Sequence, residues 1–146
     1  MENIESVPAR GRFVVDSAPI IYVLEDHPVL APRFLPIFER AEAGRYELVI
    51  TTVTLAEVLA GPLRMGEESK AEEYREALTS PPVWRVADLT AEIAYRAARV
   101  RARTGLRLPD AVQVATAIHT SSLGLVTYDR DFSALERSTE RVAVYS

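Results

Sequence analysis

Two hydrophobic patterns alternate along this chain: short β-branched runs, and longer segments with the roughly 3.6-residue period of an amphipathic helix. Arg12 to Val15 reads as a buried strand, and Ser17-Ala18-Pro19 opens a helix to about Leu24 with Ser17 as its N-cap. Asp26-His27-Pro28 marks a loop. Ala31 to Ala43 is helical, with Phe34, Leu35, Ile37 and Phe38 apolar and Gly44 as its stop. Tyr46 to Thr51 is a second strand, and Thr54 to Leu59 begins a helix that Gly61-Pro62 ends. Glu67 to Leu78 is a charged amphipathic helix broken by Pro81-Pro82, and Val83 to Val86 is a third strand. Thr90 caps a helix through Arg103 with Ile93, Ala94, Ala97 and Val100 on its inner face. Pro109 to Thr120 is so apolar that it must be largely buried, and Gly124 to Thr127 and Val142 to Tyr145 complete five strands.

Short apolar strands alternating with helices predict a parallel sheet wrapped on both faces. Right-handed crossovers then bring every strand C-terminus to one edge, where ligands bind in such folds. Residues 1–11 lack periodicity and read as a flexible N-terminal tail ahead of a single domain over residues 12–146. No internal repeat or low-complexity segment interrupts that domain.

Composition narrows the class. The hydrophobic fraction is 48%, cysteine is absent, and no apolar run approaches the roughly 18 residues that span a bilayer. The N-terminus has no signal-peptide core, so a cytoplasmic location is the expectation. A net charge of −4 argues against a generic nucleic-acid coat. Lys70 is the single lysine among 17 basic residues, so the cationic chemistry is nearly all arginine, whose planar fork suits phosphate.

Acidic residues recur where the apolar runs end: Asp16 after Val15, Glu57 beyond Thr51-Thr52, Asp110 after Leu106 to Leu108, and Asp129 after Thr127. Each has an ordinary alternative. Asp16 suits a turn beside Ser17, Glu57 completes a capping box with Thr54, and Asp110 complements a helix dipole. Asp131 is a natural cap for Phe132 to Leu135, whereas Asp129 has no comparable structural task. Jointly, four acids on one expected edge point to a divalent cation, because crowded carboxylates repel unless a cation joins them. Oxygen ligands without Cys or His indicate Mg²⁺ or Mn²⁺, and phosphodiester hydrolysis is the natural reaction. Thr127 either orients a metal-bound water or a carboxylate through its hydroxyl or simply ends a strand.

The segments FVVDSAPIIYVLE, TTVTLAEVL, LRLPDAVQVATA and LVTYDRDF resemble the four acidic motifs of PIN-domain ribonucleases, and most of all the VapC-type toxins of toxin–antitoxin pairs. The resemblance runs in order from Arg12 to Tyr145. It implies a three-layer α/β/α sandwich around a mostly parallel five-stranded sheet, and Mg²⁺- or Mn²⁺-dependent cleavage of RNA. Asp16, Glu57, Asp110 and Asp129 match the family's acidic positions, and Asp131 matches a position acidic in only some members. A cognate antitoxin and a homodimer are the partners it implies.

Among the basic residues, Arg96, Arg99 and Arg103 form one helical stripe, open to RNA contact or to simple solvation. Arg130, between Asp129 and Asp131, is placed to hold a phosphate, a carboxylate or an antitoxin acid. The two histidines, His27 and His119, take no catalytic assignment. A phosphatase or phospho-acceptor domain with Asp16 as nucleophile is disfavoured, since the sole lysine falls in a helix before the third strand. A binding domain that kept the fold without activity is the other alternative.

Overall fold

The computed structural model describes residues 1–137 and 142–146; residues 138–141 of the expected domain lie outside that description. Five strands, β1 (Gly11–Val15), β2 (Tyr46–Thr51), β3 (Trp84–Ala87), β4 (Gly124–Val126) and β5 (Ala143–Tyr145), form one sheet in the order β3-β2-β1-β4-β5. Every pairing is parallel. Among the described residues six α-helices, α1 (Ser17–Leu24), α2 (Leu30–Glu42), α3 (Thr52–Arg64), α4 (Glu68–Leu78), α5 (Ala91–Thr104) and α6 (Leu108–His119), supply the crossovers, so the α/β/α reading holds.

Strand alternation divides the core between two faces. On β1, Phe13 and Val15 join Ile20, Phe34, Ile37, Leu48 and Ile50 on the side covered by α1 to α4. Val14 points the other way and packs with Val49, Leu125, Ile93, Ala97 and the apolar face of α6. Both faces of β1 are therefore dry, which explains an unbroken apolar run instead of an alternating one. Gly124 opens β4 because the Tyr145 ring lies across it: a Cβ there would sit 2.6 Å from that ring.

Three local expectations change. The helix after β2 begins at Thr52 and passes through Gly61-Pro62 to Arg64; Pro62 is buried within it. Proline removes one backbone bond but its fixed φ is helical, so packing can carry the helix across it. The cap of α1 is Asp16, with Ser17 the first helical residue. Residues 1–11, expected as a flexible tail, are tied down. Glu2 bridges Tyr145 in parallel, the Glu2 N–H donates to Val144 O at 2.7 Å, and Ile4 N–H donates to Ser146 O at 3.0 Å. Val7 is buried. An edge strand leaves a row of unpaired backbone groups, and this segment covers part of that row on β5. Such pairing has no periodic signature.

Candidate metal centre

The parallel sheet brings the ends of β1, β2 and β4 to one edge, where the N-termini of α1, α3 and α6 also arrive. Asp16 follows Val15, and its backbone N–H donates to Val126 O at 2.9 Å, continuing the β1–β4 ladder by one residue. Its carboxylate Oδ1 accepts from Ser17 N–H at 2.8 Å and from Gln113 Nε2 at 3.0 Å. Oδ2 accepts from Thr127 Oγ1 at 2.8 Å. Asp16 is buried with only 8% exposure, so these donors take the place of water. Thr127 thus does orient a carboxylate.

Gln113 extends the network. The same Nε2 donates to Thr54 Oγ1 at 2.6 Å, and Thr51 Oγ1 accepts Thr54 N–H at 3.0 Å, capping α3. Only an amide NH2 can face a carboxylate, which fixes the orientation of this side chain. A buried polar chain therefore runs from β4 through β1 and α6 to α3. Sequence reasoning missed Gln113. Its signal was a lone amide, three residues after Asp110, inside a helix otherwise flanked by Ala111, Val112, Val114 and Ala115.

With Thr51 as cap, Glu57 lies beyond the first turn of α3 and completes no capping box. It is an exposed residue whose pKa is nonetheless raised, first by burial of its carboxyl and then by the charges of Asp16 and Asp110. Those two charges place it beside the acidic edge.

Asp110 enters from the first turn of α6, whose cap is Arg107. It is only 5% exposed, and its Oδ2 has no hydrogen-bond partner. Burial, then the charges of Asp129 and Asp16, push its pKa up to about 6, with Arg107 opposing. Asp129 follows β4. Its Oδ1 accepts Asp131 N–H at 2.8 Å, and its own N–H donates to Thr127 Oγ1 at 3.0 Å. It does have a structural task, in the turn that enters the 3-10 segment Arg130–Arg137.

Among the described residues, Asp110, Asp129 and Asp131 offer carboxylate oxygens all within 4.8 Å of one another. Asp131, the weakest of the five on sequence, sits in this closest group; Asp16 and Glu57 flank it. The donors are hard oxygens, and one is an orphaned, buried carboxylate oxygen. Both features fit a divalent cation of the Mg²⁺ or Mn²⁺ kind, which would neutralise the repulsion that raises Asp110.

Several other cations are engaged elsewhere. Lys70, on α4, bonds Glu25 at 2.9 Å, away from the strand ends. On the α5 stripe, Arg96 pairs with Glu92 at 3.7 Å and Arg99 bonds Tyr95 Oη at 3.2 Å. With Arg103 these side chains line a groove of about 350 Å³ that reaches Ile118. Ile118 is eight residues past Asp110, roughly 12 Å along α6. His27 Nδ1 accepts the N–H of Leu30 at 3.1 Å at the entrance to α2, and His119 lies 3.8 Å from Glu92.

Comparison with known proteins decides the family. The family model of the PIN domain matches residues 13–138. The chain belongs to the PIN domain family. Among solved structures, this PIN domain is similar to a toxin–antitoxin complex from Klebsiella pneumoniae at 25% identity, with 82% of this chain and 89% of that one covered and a TM-score of 0.64. VapBC2 from Rickettsia felis, bound to a DNA fragment from its promoter, shares 15% identity over 92% of this chain and 99% of its own, with a TM-score of 0.69. Mycobacterium tuberculosis VapC20, a sarcin–ricin loop cleaving toxin, shares 18% over 90% and 99%, with a TM-score of 0.67. The last two likenesses establish the fold. No curated protein matches this chain.

Proposed function

We propose that this PIN domain is a metal-dependent endoribonuclease that hydrolyses RNA phosphodiester bonds as the toxin of a toxin–antitoxin pair. The observation that carries the reading is the Asp110 carboxylate: buried, unpartnered at Oδ2, and gathered with Asp129 and Asp131 where the strands end. An acid left in that state serves no purpose in stability, since burial disfavours its charge.

Asp16, Glu57, Asp110 and Asp129 form the catalytic and metal-holding set, and Asp131 adds a further oxygen. When bound, Mg²⁺ or Mn²⁺ supplies Lewis acidity towards water and phosphate oxygen and offsets the charge that develops in an in-line displacement. The protein's own contribution is positioning. Two donors saturate Asp16 Oδ1, whereas Oδ2 takes one and keeps a second acceptor position for the site. The Asp131 N–H fixes Asp129 through Oδ1, leaving Oδ2 3.8 Å from Arg107 Nη2. Glu57, with its raised pKa at the exposed rim, is the carboxylate suited to take a proton from attacking water.

RNA is the substrate in this reading, and an antitoxin protein and a second copy of the chain are its partners. The similar structures from Klebsiella pneumoniae and Rickettsia felis, described as a toxin–antitoxin complex and VapBC2, support the antitoxin. A cytoplasmic location accompanies the same reading; no helix among the described residues is long and apolar enough to cross a membrane.

Incubation with total RNA and sequencing of the cut ends tests the proposal. Cleavage at defined sites in Mg²⁺ or Mn²⁺, abolished by EDTA, is the expected result. Cleavage that survives EDTA contradicts the metal mechanism, and intact RNA with a folded, Mn²⁺-bound sample makes the chain a binding domain.

A further inference from the structure

Arg107 stands at the acidic cluster in an unusual way. Its Nε lies 3.6 Å from Asp110 Oδ2, and its Nη2 lies 3.8 Å from Asp129 Oδ2. These are ion-pair separations that stop short of a good hydrogen bond, and Asp110 Oδ2 counts as unpartnered despite its nearest cation. The side chain is 72% exposed, whereas that of Asp110 is 7% and that of Asp129 is 30%. Its backbone is fixed all the same: Arg107 caps α6 in an extended conformation, and its carbonyl accepts Ala111 N–H at 2.9 Å. A rooted main chain thus carries a solvated guanidinium laid loosely over the two carboxylates nearest the centre of the site.

Loose, solvated pairs of this kind are weak, because water screens the attraction and the long side chain must be held still. A divalent cation on the same oxygens carries twice the charge and binds at direct contact, so it wins the competition. The guanidinium it releases remains tethered at the rim of the site. Free of the acids, its planar fork presents five donors suited to bidentate phosphate contact.

We propose that Arg107 is an exchangeable counter-ion: it neutralises Asp110 and Asp129 in the metal-free protein, yields them to a divalent cation, and then holds a phosphate of the RNA strand. This rests on the nuclease reading for its last step but not for its first. Arg130 is the residue that sequence singles out near the acids; the ion pairs single out Arg107, which sequence places in a loop before a helix.

The test compares the full chain, Arg107→Ala and Arg107→Lys, with Arg75→Ala on α4 as a control for losing one positive charge. Arg107 makes no hydrogen bond through its side chain that the fold needs, and a thermal melt confirms that each variant is folded. Calorimetric titration of metal-free protein with Mn²⁺ is the first readout. Arg107→Ala is expected to bind Mn²⁺ about three- to tenfold more tightly, while Arg75→Ala matches wild type. Arg107→Lys, which keeps the charge without the fork, stays near wild type. Cleavage kinetics are the second readout: KM for RNA rises severalfold in Arg107→Ala with kcat little changed, and lysine restores it only in part. Unchanged or weaker Mn²⁺ binding in Arg107→Ala overturns the counter-ion role, whatever happens to RNA. An unchanged KM overturns the phosphate role. Wild-type protein that binds Mn²⁺ yet cuts no RNA sinks the nuclease reading instead, and the Mn²⁺ comparison still decides the ion exchange.

Discussion

Two acidic regions of this molecule are built in opposite ways. Where α1 meets α4, Glu25 accepts hydrogen bonds from Lys70 Nζ at 2.9 Å and Tyr74 Oη at 2.8 Å, and those donors hold its carboxyl below the ordinary range. At the strand edge Asp110 has no donor on Oδ2, lies beside Asp129, Asp131 and Asp16, and is pushed up to about 6. The first region is neutralised by the chain itself, with the only lysine in the sequence. The second is left short of cations by a chain that has 16 arginines to choose from (17 basic residues less one lysine). Stability explains the first arrangement. In the proposed function the missing positive charge comes from outside the chain, and among the described residues Arg107 is the cation that pairs with both Asp110 and Asp129.

The largest expected effect follows from removing that uncompensated charge. Asp110→Asn should lower RNA cleavage by at least about 100-fold, since in the proposed site it removes a direct ligand. The same change should stabilise the metal-free fold, by about 1–2 kcal/mol at pH 7.5 once solvent screening is allowed for, and so raise its melting temperature. Both readouts must move, in opposite directions. A variant that loses activity by losing stability would place Asp110 among the structural acids and erase the contrast with Glu25.

Next in size is the network behind Asp16. Gln113→Leu removes the donor shared by Asp16 Oδ1 and Thr54 Oγ1. It should destabilise the fold by about 1–3 kcal/mol, measured by denaturant unfolding, because two buried acceptors lose a partner. Cleavage should fall as well, since Asp16 then loses part of its orientation. A neutral result would mean that Thr127 and the Ser17 N–H suffice to position Asp16.

The pH dependence is smaller and its sign is fixed. An acid whose folded pKa lies above its ordinary value binds protons more tightly when folded. Asp110 therefore costs nothing below about pH 3.8, and metal-free stability declines as pH rises from there through about 6. Glu57 acts in the same direction. Melting in EDTA across pH 4 to 8 should show this loss, and saturating Mg²⁺ should offset it, because a ligand for the folded state adds stability. Asp110→Asn should flatten the curve. The smallest effect belongs to the other region: Lys70→Ala should lower the melting temperature slightly, more so in low salt, and leave cleavage untouched.

The sequence revealed the frame because buried parallel strands must be continuously apolar, as Phe13-Val14-Val15 and Leu48-Val49-Ile50 are. The bounds of β2, Tyr46–Thr51, follow directly from that rule. Capping was harder to read. Asp16 directly follows a strand and Thr51 ends one, and each caps the next helix, so the cap sits one or more residues earlier than Ser17 and Thr54 suggest. That shift matters for Glu57, since it removes the capping box that had explained it. Of the acids read as strand ends, Asp16 and Asp129 do follow strands, whereas Glu57 and Asp110 come from within α3 and α6. What stayed hidden depends on side-chain reach across elements. Gln113 meets Asp16 from 97 positions away, and Arg107 reaches over two carboxylates from a loop with no charge pattern. Periodicity carries no information about either.

In the proposed function this edge is anionic in order to hold a divalent cation. Calorimetric titration of EDTA-stripped protein with Mn²⁺, in wild type and in Asp110→Asn, tests it most directly. Saturable binding in wild type that disappears or weakens at least about tenfold in Asp110→Asn is the predicted result. Absence of saturable binding, or equal binding in both proteins, would contradict it.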